Sequence, residues 1–288
     1  DEADRTWLVA FTTDTGPVPF FSYDRTERRG SLLFVHQPSL EKYDLAPMEP
    51  FQFTARDGLT VHGYLTFPVG APREGLPAVL NVHGGPQARD VWGYDPEAQW
   101  MANRGYLSVQ VNYRGSTGYG KSFVAAGDRE WGAKMHDDLI DAVHHIVDQG
   151  WADKFTPDVF VCAVDIVGPS NLKTLLESIP PYWKPLAAGL YKRVGDPDDV
   201  DFLWSRSPLS RAGDIRIPLL IAQGANDPRV KQAEAEQIVT ALKDAGIDYD
   251  YMLFPDEGHG FAKPENRMKF YASAEKFLAK YLGGRSEG

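Results

Sequence analysis

Cysteine, net positive charge and long apolar runs are all scarce in this chain. Of its 288 residues one is cysteine, Cys162, so no internal disulfide can form. Cys162 stands in the apolar run Val159-Phe160-Val161-Cys162-Ala163-Val164 and reads as a small core residue, not a nucleophile. The 30 Lys and Arg are outnumbered by 40 Asp and Glu, a net charge of −10. That balance argues against nucleic acid, whose phosphates need a basic surface, and against an anionic membrane. No apolar run nears the roughly 18 residues of a membrane span. Metal-binding patterns are missing too. There is no His-Glu-x-x-His, and the adjacent His144 and His145 point in different directions on a helix. Arg114-Gly115-Ser116-Thr117-Gly118-Tyr119-Gly120 has glycines but not the lysine-serine ending of a phosphate loop. Neither a metal nor a cofactor is expected. The most consequential absence is of Gly-x-Ser-x-Gly, the strand-to-helix turn that exposes a hydrolytic serine.

Asp1-Glu2-Ala3-Asp4 is not a signal peptide. The chain reads as starting inside a larger protein, so a leader upstream stays open and the cytoplasm is the default compartment. Oligomeric state is open as well.

Residues 1–50 read as short strands joined by turns. Trp7–Phe11, Pro19–Tyr23 and Ser31–Val35 are apolar or aromatic, with turn residues Asp14-Thr15-Gly16 and the polar stretch 24–30 between them. Three strands cannot bury both faces alone, so they look like part of one blade of a repeating β structure. Leu45-Ala46-Pro47-Met48-Glu49-Pro50 reads as a linker.

From 51 to 288 the pattern becomes α/β. A hairpin is expected around Asp57-Gly58, joining strands 51–54 and 61–66. Further strands are expected at 77–82, 106–111, 159–167, 217–223 and 249–254. Helices are expected at 93–104, ending at Gly105, and at 134–148, 171–178, 231–245 and 265–281. Strands alternating with helices imply a mostly parallel sheet with helices on both faces. Asp137 and Asp138 fall in the first turn of the helix at 134–148, where carboxylates suit the helix dipole.

Three loops carry chemistry. Leu219–Gln223 is a buried strand followed by Gly224-Ala225-Asn226-Asp227, and an Asp so placed can orient and charge-stabilise a histidine. Tyr249–Phe254 is a strand followed by Asp256-Glu257-Gly258-His259-Gly260, where a histidine between glycines suits a base loop. The order, acid and then base about 30 positions later, is the one α/β-hydrolases use. His83-Gly84-Gly85-Pro86 directly follows a strand. Glycines there let a backbone approach a substrate and turn N–H groups toward an oxyanion, although a tight structural turn would look the same.

Together these stretches resemble the catalytic domain of the prolyl oligopeptidase family, in its acylaminoacyl-peptidase and dipeptidyl-peptidase-like branch. The matching segments are Asn81–Pro86, Asn112–Gly120, Val164–Asn171, Gly224–Val230 and Asp256–Phe261. The resemblance implies an α/β-hydrolase fold and a serine-type peptidase acting on peptides. It implies Asp227 as triad acid, His259 as triad base, and Gly85 as an oxyanion donor in the His83-Gly84-Gly85 loop. Residues 1–50 are similar to the last blade of the family's N-terminal β-propeller and its linker.

The same resemblance implies a Gly-Gly-Ser-Tyr-Gly-Gly elbow after the helix that ends near Gly150. Here Gly150-Trp151-Ala152-Asp153-Lys154 runs straight into Phe155-Thr156-Pro157-Asp158-Val159. A strand, the elbow and a helix are lacking, on the order of 20 residues from usual element lengths. The chain is therefore expected to lack nucleophile chemistry, and the alternative to a working peptidase is a non-catalytic remnant or peptide-binding pseudoenzyme. A stand-in hydroxyl is Ser170 in Gly168-Pro169-Ser170-Asn171, between a strand and a helix. Ser or Asn at that place also suits a helix N-cap.

Overall fold

A computed structural model describes residues 1–153 and 159–287. The junction between Lys154 and Phe155 lies outside the described residues. The chain divides into two compact units. One comprises residues 1–54, 58–112 and 145–153; the other comprises 55–57, 113–144 and the described part of 154–288.

The first unit holds two sheets. Strands β1 (Thr6–Ala10), β2 (Pro19–Asp24) and β3 (Arg29–Val35) form an antiparallel meander, as the alternating aromatic pattern predicts. Phe20 stacks on Phe34 across β2 and β3, with ring centroids 4.8 Å apart. Trp7, Leu8, Phe11, Leu32, Leu33 and Phe34 all stay exposed, as expected of three strands with too few residues to cover both faces.

The second sheet has the order β4-β5-β7-β6, from β4 (Met48–Thr54), β5 (Thr60–Thr66), β6 (Ala78–Asn81) and β7 (Leu107–Asn112). The β4–β5 hairpin turns at Asp57-Gly58, where Gly58 has φ +89°, a conformation glycine adopts without penalty. β7 runs parallel to β6 and antiparallel to β5. The polar alternation of β7 suggests one solvated face, yet Ser108, Gln110 and Asn112 are all buried. Ser108 Oγ donates to Met101 Sδ at 3.6 Å and the Asn112 side chain bonds the Asp90 backbone, so the segment 90–101 covers this face. Helix α1 (Pro96–Asn103) connects β6 to β7. Asp95 caps it by accepting from the Ala98 N–H at 2.8 Å, Pro96 starts it, and Gly105 follows it with φ +96°.

After the helix that ends at Asp148 the chain returns to β6. Leu76 N–H donates to the Trp151 carbonyl at 2.9 Å, and Asp153 N–H donates to the Leu76 carbonyl at 3.0 Å. Leu76 and Ala152 thus form a parallel bridge.

The second unit holds the parallel sheet β10-β9-β8, from β8 (Ala163–Ile166), β9 (Leu219–Gly224) and β10 (Tyr249–Phe254). β8 is shorter than the apolar run 159–167 implies. Its ladder starts where Ala163 N–H reaches the Pro218 carbonyl, immediately before β9 begins. Helix α2 (Lys121–Ala125) precedes α3 (Lys134–Asp148), the long helix that reaches into both units. Then come α4 (Leu172–Glu177), α5 (Ala187–Val194), α6 (Val200–Arg206), α7 (Gln232–Asp244) and α8 (Pro264–Leu282). Leu172, Leu175, Leu176, Val194, Leu203 and Val230 form one core cluster; Ile221, Ala235, Ile238 and Leu242 anchor another around β9 and α7.

Asp138 does more than favour the start of α3. It is fully buried, and its carboxylate accepts from the Arg114 backbone N–H at 2.9 Å and from the Arg114 guanidinium at 2.8 and 2.6 Å. Arg114 also bonds Asp57 at 2.7 and 2.9 Å. Fixed in this fork, the guanidinium keeps its proton more firmly than a free arginine, because both carboxylates stabilise its charge.

Candidate active site

The acid and base loops are drawn together by the ends of neighbouring strands. β9 and β10 run parallel with Gly224 opposite Phe254. Beyond the ladder, Ala225 N–H donates to the Phe254 carbonyl at 2.9 Å, and Asn226 N–H to the Glu257 carbonyl at 2.9 Å. The Asn226 side chain donates to the Pro255 carbonyl at 2.8 Å. Gly224 is required here for space. A Cβ at that position would lie 2.1 Å from the Gly258 carbonyl oxygen, so any side chain would push the two loops apart.

Asp227 ends the first loop and is 2% exposed. Its Oδ1 accepts the backbone N–H groups of Arg229 and Val230 at 2.8 and 3.0 Å. Its Oδ2 lies 2.8 Å from Nδ1 of His259. Burial opposes the charge of Asp227, but the His259 contact and the two backbone donors outweigh it, holding the carboxyl below the usual carboxylate range. An ionised Asp227 makes Nδ1 the donor, which leaves Nε2 of a neutral ring as a lone-pair acceptor, the state a general base needs. The His259 side chain is 32% exposed, and that of Asp227 is 0% exposed. The pair is thus an orienting carboxylate inside and a reachable imidazole outside.

The histidine loop is braced by a residue that sequence reasoning passed over. Glu257 is buried and accepts from the Ala262 and Lys263 N–H groups, each at 2.9 Å, and from the Asn266 amide at 2.8 Å. It ties the loop to the first turn of α8. Phe261 packs between Phe254 and Phe270, with centroids at 4.5 and 5.2 Å. The signal was present in Asp256-Glu257-Gly258-His259, but as a charge beside a histidine it reads as solvent-facing.

Ser170 is engaged elsewhere. It is buried, its hydroxyl donates to the Glu234 carbonyl at 2.6 Å, and its N–H donates to Glu234 Oε2 at 3.0 Å. Asn171 is the N-cap of α4, accepting from the Lys173 N–H at 3.0 Å. Glu234, itself buried, also accepts from the Asn171 N–H at 2.8 Å and contacts the Thr174 hydroxyl. The serine therefore belongs to the anchoring of a helix start, where a carboxylate is favoured by the dipole. Among the described residues, no hydroxyl is hydrogen-bonded to His259.

The glycine loop lies in the first unit, directly after β6. Gly85 has φ +128° and a cis bond to Pro86. A Cβ there would lie 2.9 Å from Gln87 N and 3.0 Å from Ala88 N, so glycine is dictated by both backbone and space. At Gly84 an added Cβ would meet open space. His83 Nδ1 lies 2.9 Å from the Gly84 carbonyl, and burial pushes its ring below the ordinary histidine range. Among the described residues, no group of three His, Cys, Asp or Glu side chains is placed to hold a metal ion. None of the described helices is long and apolar enough to cross a membrane.

The family model "Prolyl oligopeptidase family" matches residues 92–156 and 154–285. Dipeptidyl aminopeptidase BIII of Pseudoxanthomonas mexicana is 49% identical over 99% of this chain and 46% of its own length. Dipeptidyl peptidase family member 6 of Caenorhabditis elegans is 42% identical over 98% of this chain and 44% of its own length. Among solved structures, a puromycin-hydrolyzing peptidase of Mycobacterium tuberculosis superposes with a TM-score of 0.85, at 28% identity, over 99% of this chain and 48% of the other. An acylaminoacyl peptidase of Pyrococcus horikoshii shares the fold at a TM-score of 0.85 and 24% identity, over 99% of this chain and 49% of its own. The chain spans just under half the length of these relatives. It belongs to the prolyl oligopeptidase family, and its fold is the α/β-hydrolase type of that family's peptidases.

Proposed function

We propose that this chain carries the acid–base pair of a serine peptidase, Asp227 and His259, together with the oxyanion loop His83-Gly84-Gly85, and binds peptides without forming an acyl-enzyme. Residues 1–50 are read as the last propeller blade and linker, and 51–288 as the peptidase-type domain. The observation that carries the reading is the 2.8 Å contact between His259 Nδ1 and a buried Asp227, an arrangement that prepares Nε2 as a base.

Three observations support a missing nucleophile segment. No serine of the chain stands in Gly-x-Ser-x-Gly. The two segments matched by the family model meet at residues 154–156. The alignment with the Pseudoxanthomonas enzyme runs over 314 residues, more than the 288 of this chain, so the relative has sequence without a counterpart here. Without the serine, His259 has no hydroxyl to activate. In a serine protease such as subtilisin, losing the nucleophile costs roughly 10⁶ in kcat. Losing the oxyanion donor that follows it costs roughly 10²–10³, with the two terms not simply additive.

The substrate class follows the relatives' names: peptides cleaved after an N-terminal dipeptide, or peptides with an acylated first residue. Titration calorimetry with short peptides of both kinds tests the reading. Saturable heat with no product by mass spectrometry is expected. Product formation at a rate above the uncatalysed one, abolished by His259→Ala, would mean that the chain is a working peptidase. No heat from either class would mean that it has no peptide site.

A further inference from the structure

Four residues beyond the glycine loop, Asp90 clamps the chain to the central strand. Its N–H donates to Asn112 Oδ1 at 2.8 Å, and its carbonyl accepts from Asn112 Nδ2 at 3.1 Å. Asn112 is 0% exposed and ends β7. This reciprocal pair holds the segment that follows Pro86, and the Trp92 indole adds a further hold by donating to the Met48 carbonyl at 2.8 Å. The carboxyl of Asp90 turns toward β7 as well, where the Gln110 side chain donates to it.

Two acceptors in this cluster are left over. Asp90 Oδ2 and Gln110 Oε1 are both buried, and neither has a hydrogen-bond partner. Gln110 is 2% exposed, so bulk water does not serve it. Two orphaned acceptors on side chains that touch are costly, since each forfeits its hydration with nothing in return. A carboxylic acid facing a primary amide solves both at once: the amide N–H reaches one carboxyl oxygen, and the acid O–H reaches the amide oxygen.

We propose that Asp90 and Gln110 form a one-proton acid–amide pair, and that Asp90 is a positioning residue holding the His83–Pro86 loop on β7 while that proton is present. The charged neighbours agree. Burial raises the proton affinity of Asp90 most, the Asp95 and Glu97 carboxylates raise it further, and Gln110 and Arg89 oppose; the result is a pKa of about 6. The sign is opposite to that of a salt-bridged aspartate. In the folded chain Asp90 keeps its proton to a higher pH than in an unfolded one, so raising the pH from about 4 to about 6 increasingly favours states in which the carboxyl escapes to water. Release of the carboxyl loosens the Asn112 clamp and with it the glycine loop. The device needs no ligand, and it stands or falls apart from peptide binding.

The test compares the wild-type chain with Asp90→Asn by amide hydrogen exchange over residues 83–92 at pH 3.5 and pH 8, each corrected for intrinsic rates. The asparagine pairs with Gln110 amide to amide and keeps both orphans satisfied at every pH. Near-equal protection at pH 3.5, below the unfolded carboxyl range, is expected, with the variant at least about tenfold better protected at pH 8, given how far the carboxyl sits above its unfolded range. Equal protection at both pH values, or a variant that is looser at both, overturns the proposal. The ¹³C carboxyl resonance of Asp90 in the wild-type chain gives an independent reading. A midpoint near 6 that rises or falls together with the Gln110 side-chain amide signals supports the pair, and a midpoint near the ordinary value of about 4 overturns it.

Discussion

His259 Nδ1 lies 2.8 Å from Asp227 Oδ2, and the other oxygen of that carboxylate is held by two backbone N–H groups. Both carboxylate oxygens are thereby engaged, and the ring is fixed with its second nitrogen facing away from the carboxylate.

Asp227→Ala removes an acceptor from three donors. A loss of about 1–3 kcal/mol is expected in urea unfolding at pH 7, the cost of leaving buried donors unsatisfied. The pH dependence follows from the depressed carboxyl of Asp227. A carboxyl that holds its proton less tightly when folded contributes stability above the unfolded range, near pH 4, and loses it as pH falls through the folded value. The gap between wild type and variant should therefore close in acid. A gap that stays constant from pH 7 to pH 3 contradicts the ionised pair.

Gly224→Ala tests how the acid and base loops are joined. The new methyl would sit 2.1 Å from the Gly258 carbonyl, and backbone cannot yield as a flexible side chain does. Overpacking of this kind costs about 1–3 kcal/mol. The exchange of the His259 loop amides should rise more than that of β6 and β7. Gly84→Ala, where an added Cβ would meet open space, is the control and should leave stability within about 0.5 kcal/mol.

Much of this arrangement was legible in the sequence. Leu219–Gln223 and Tyr249–Phe254 are apolar runs that end in Gly, Asp and His, and both strands and both loops stand where that pattern puts them. Local chemistry sufficed, since strand, loop and functional side chain follow one another within ten residues. Residues whose partners are distant in sequence were not legible. Asp138 reads as a helix-start charge, but it pairs with Arg114 across 24 positions. Ser170 reads as a spare hydroxyl until Glu234, 64 positions away, claims it. Helices α5 and α6 are hard to read from sequence because they are short, 8 and 7 residues, and follow closely on Pro180, Pro181, Pro185 and Gly195. The buried polar face of β7 was hidden for a related reason, because the groups that cover it, Met101 and Asp90, lie 7 and 22 positions from their partners Ser108 and Asn112.

Ser170→Ala should separate structure from chemistry. The variant loses a hydroxyl that satisfies the Glu234 carbonyl, and a destabilisation of about 1–3 kcal/mol is expected in thermal or urea unfolding. Peptide affinity by calorimetry should not change once the variant is folded. A stability equal to wild type, joined to a loss of peptide binding or turnover, would make Ser170 a functional hydroxyl instead.

The most direct measurement treats the purified chain with a fluorophosphonate probe and locates any adduct by mass spectrometry, with His259→Ala alongside. No stoichiometric adduct is expected on either chain, because among the described residues no hydroxyl is hydrogen-bonded to His259. A one-to-one adduct on a serine of the wild-type chain, lost in His259→Ala, would show that the imidazole does activate a hydroxyl and would contradict the central claim.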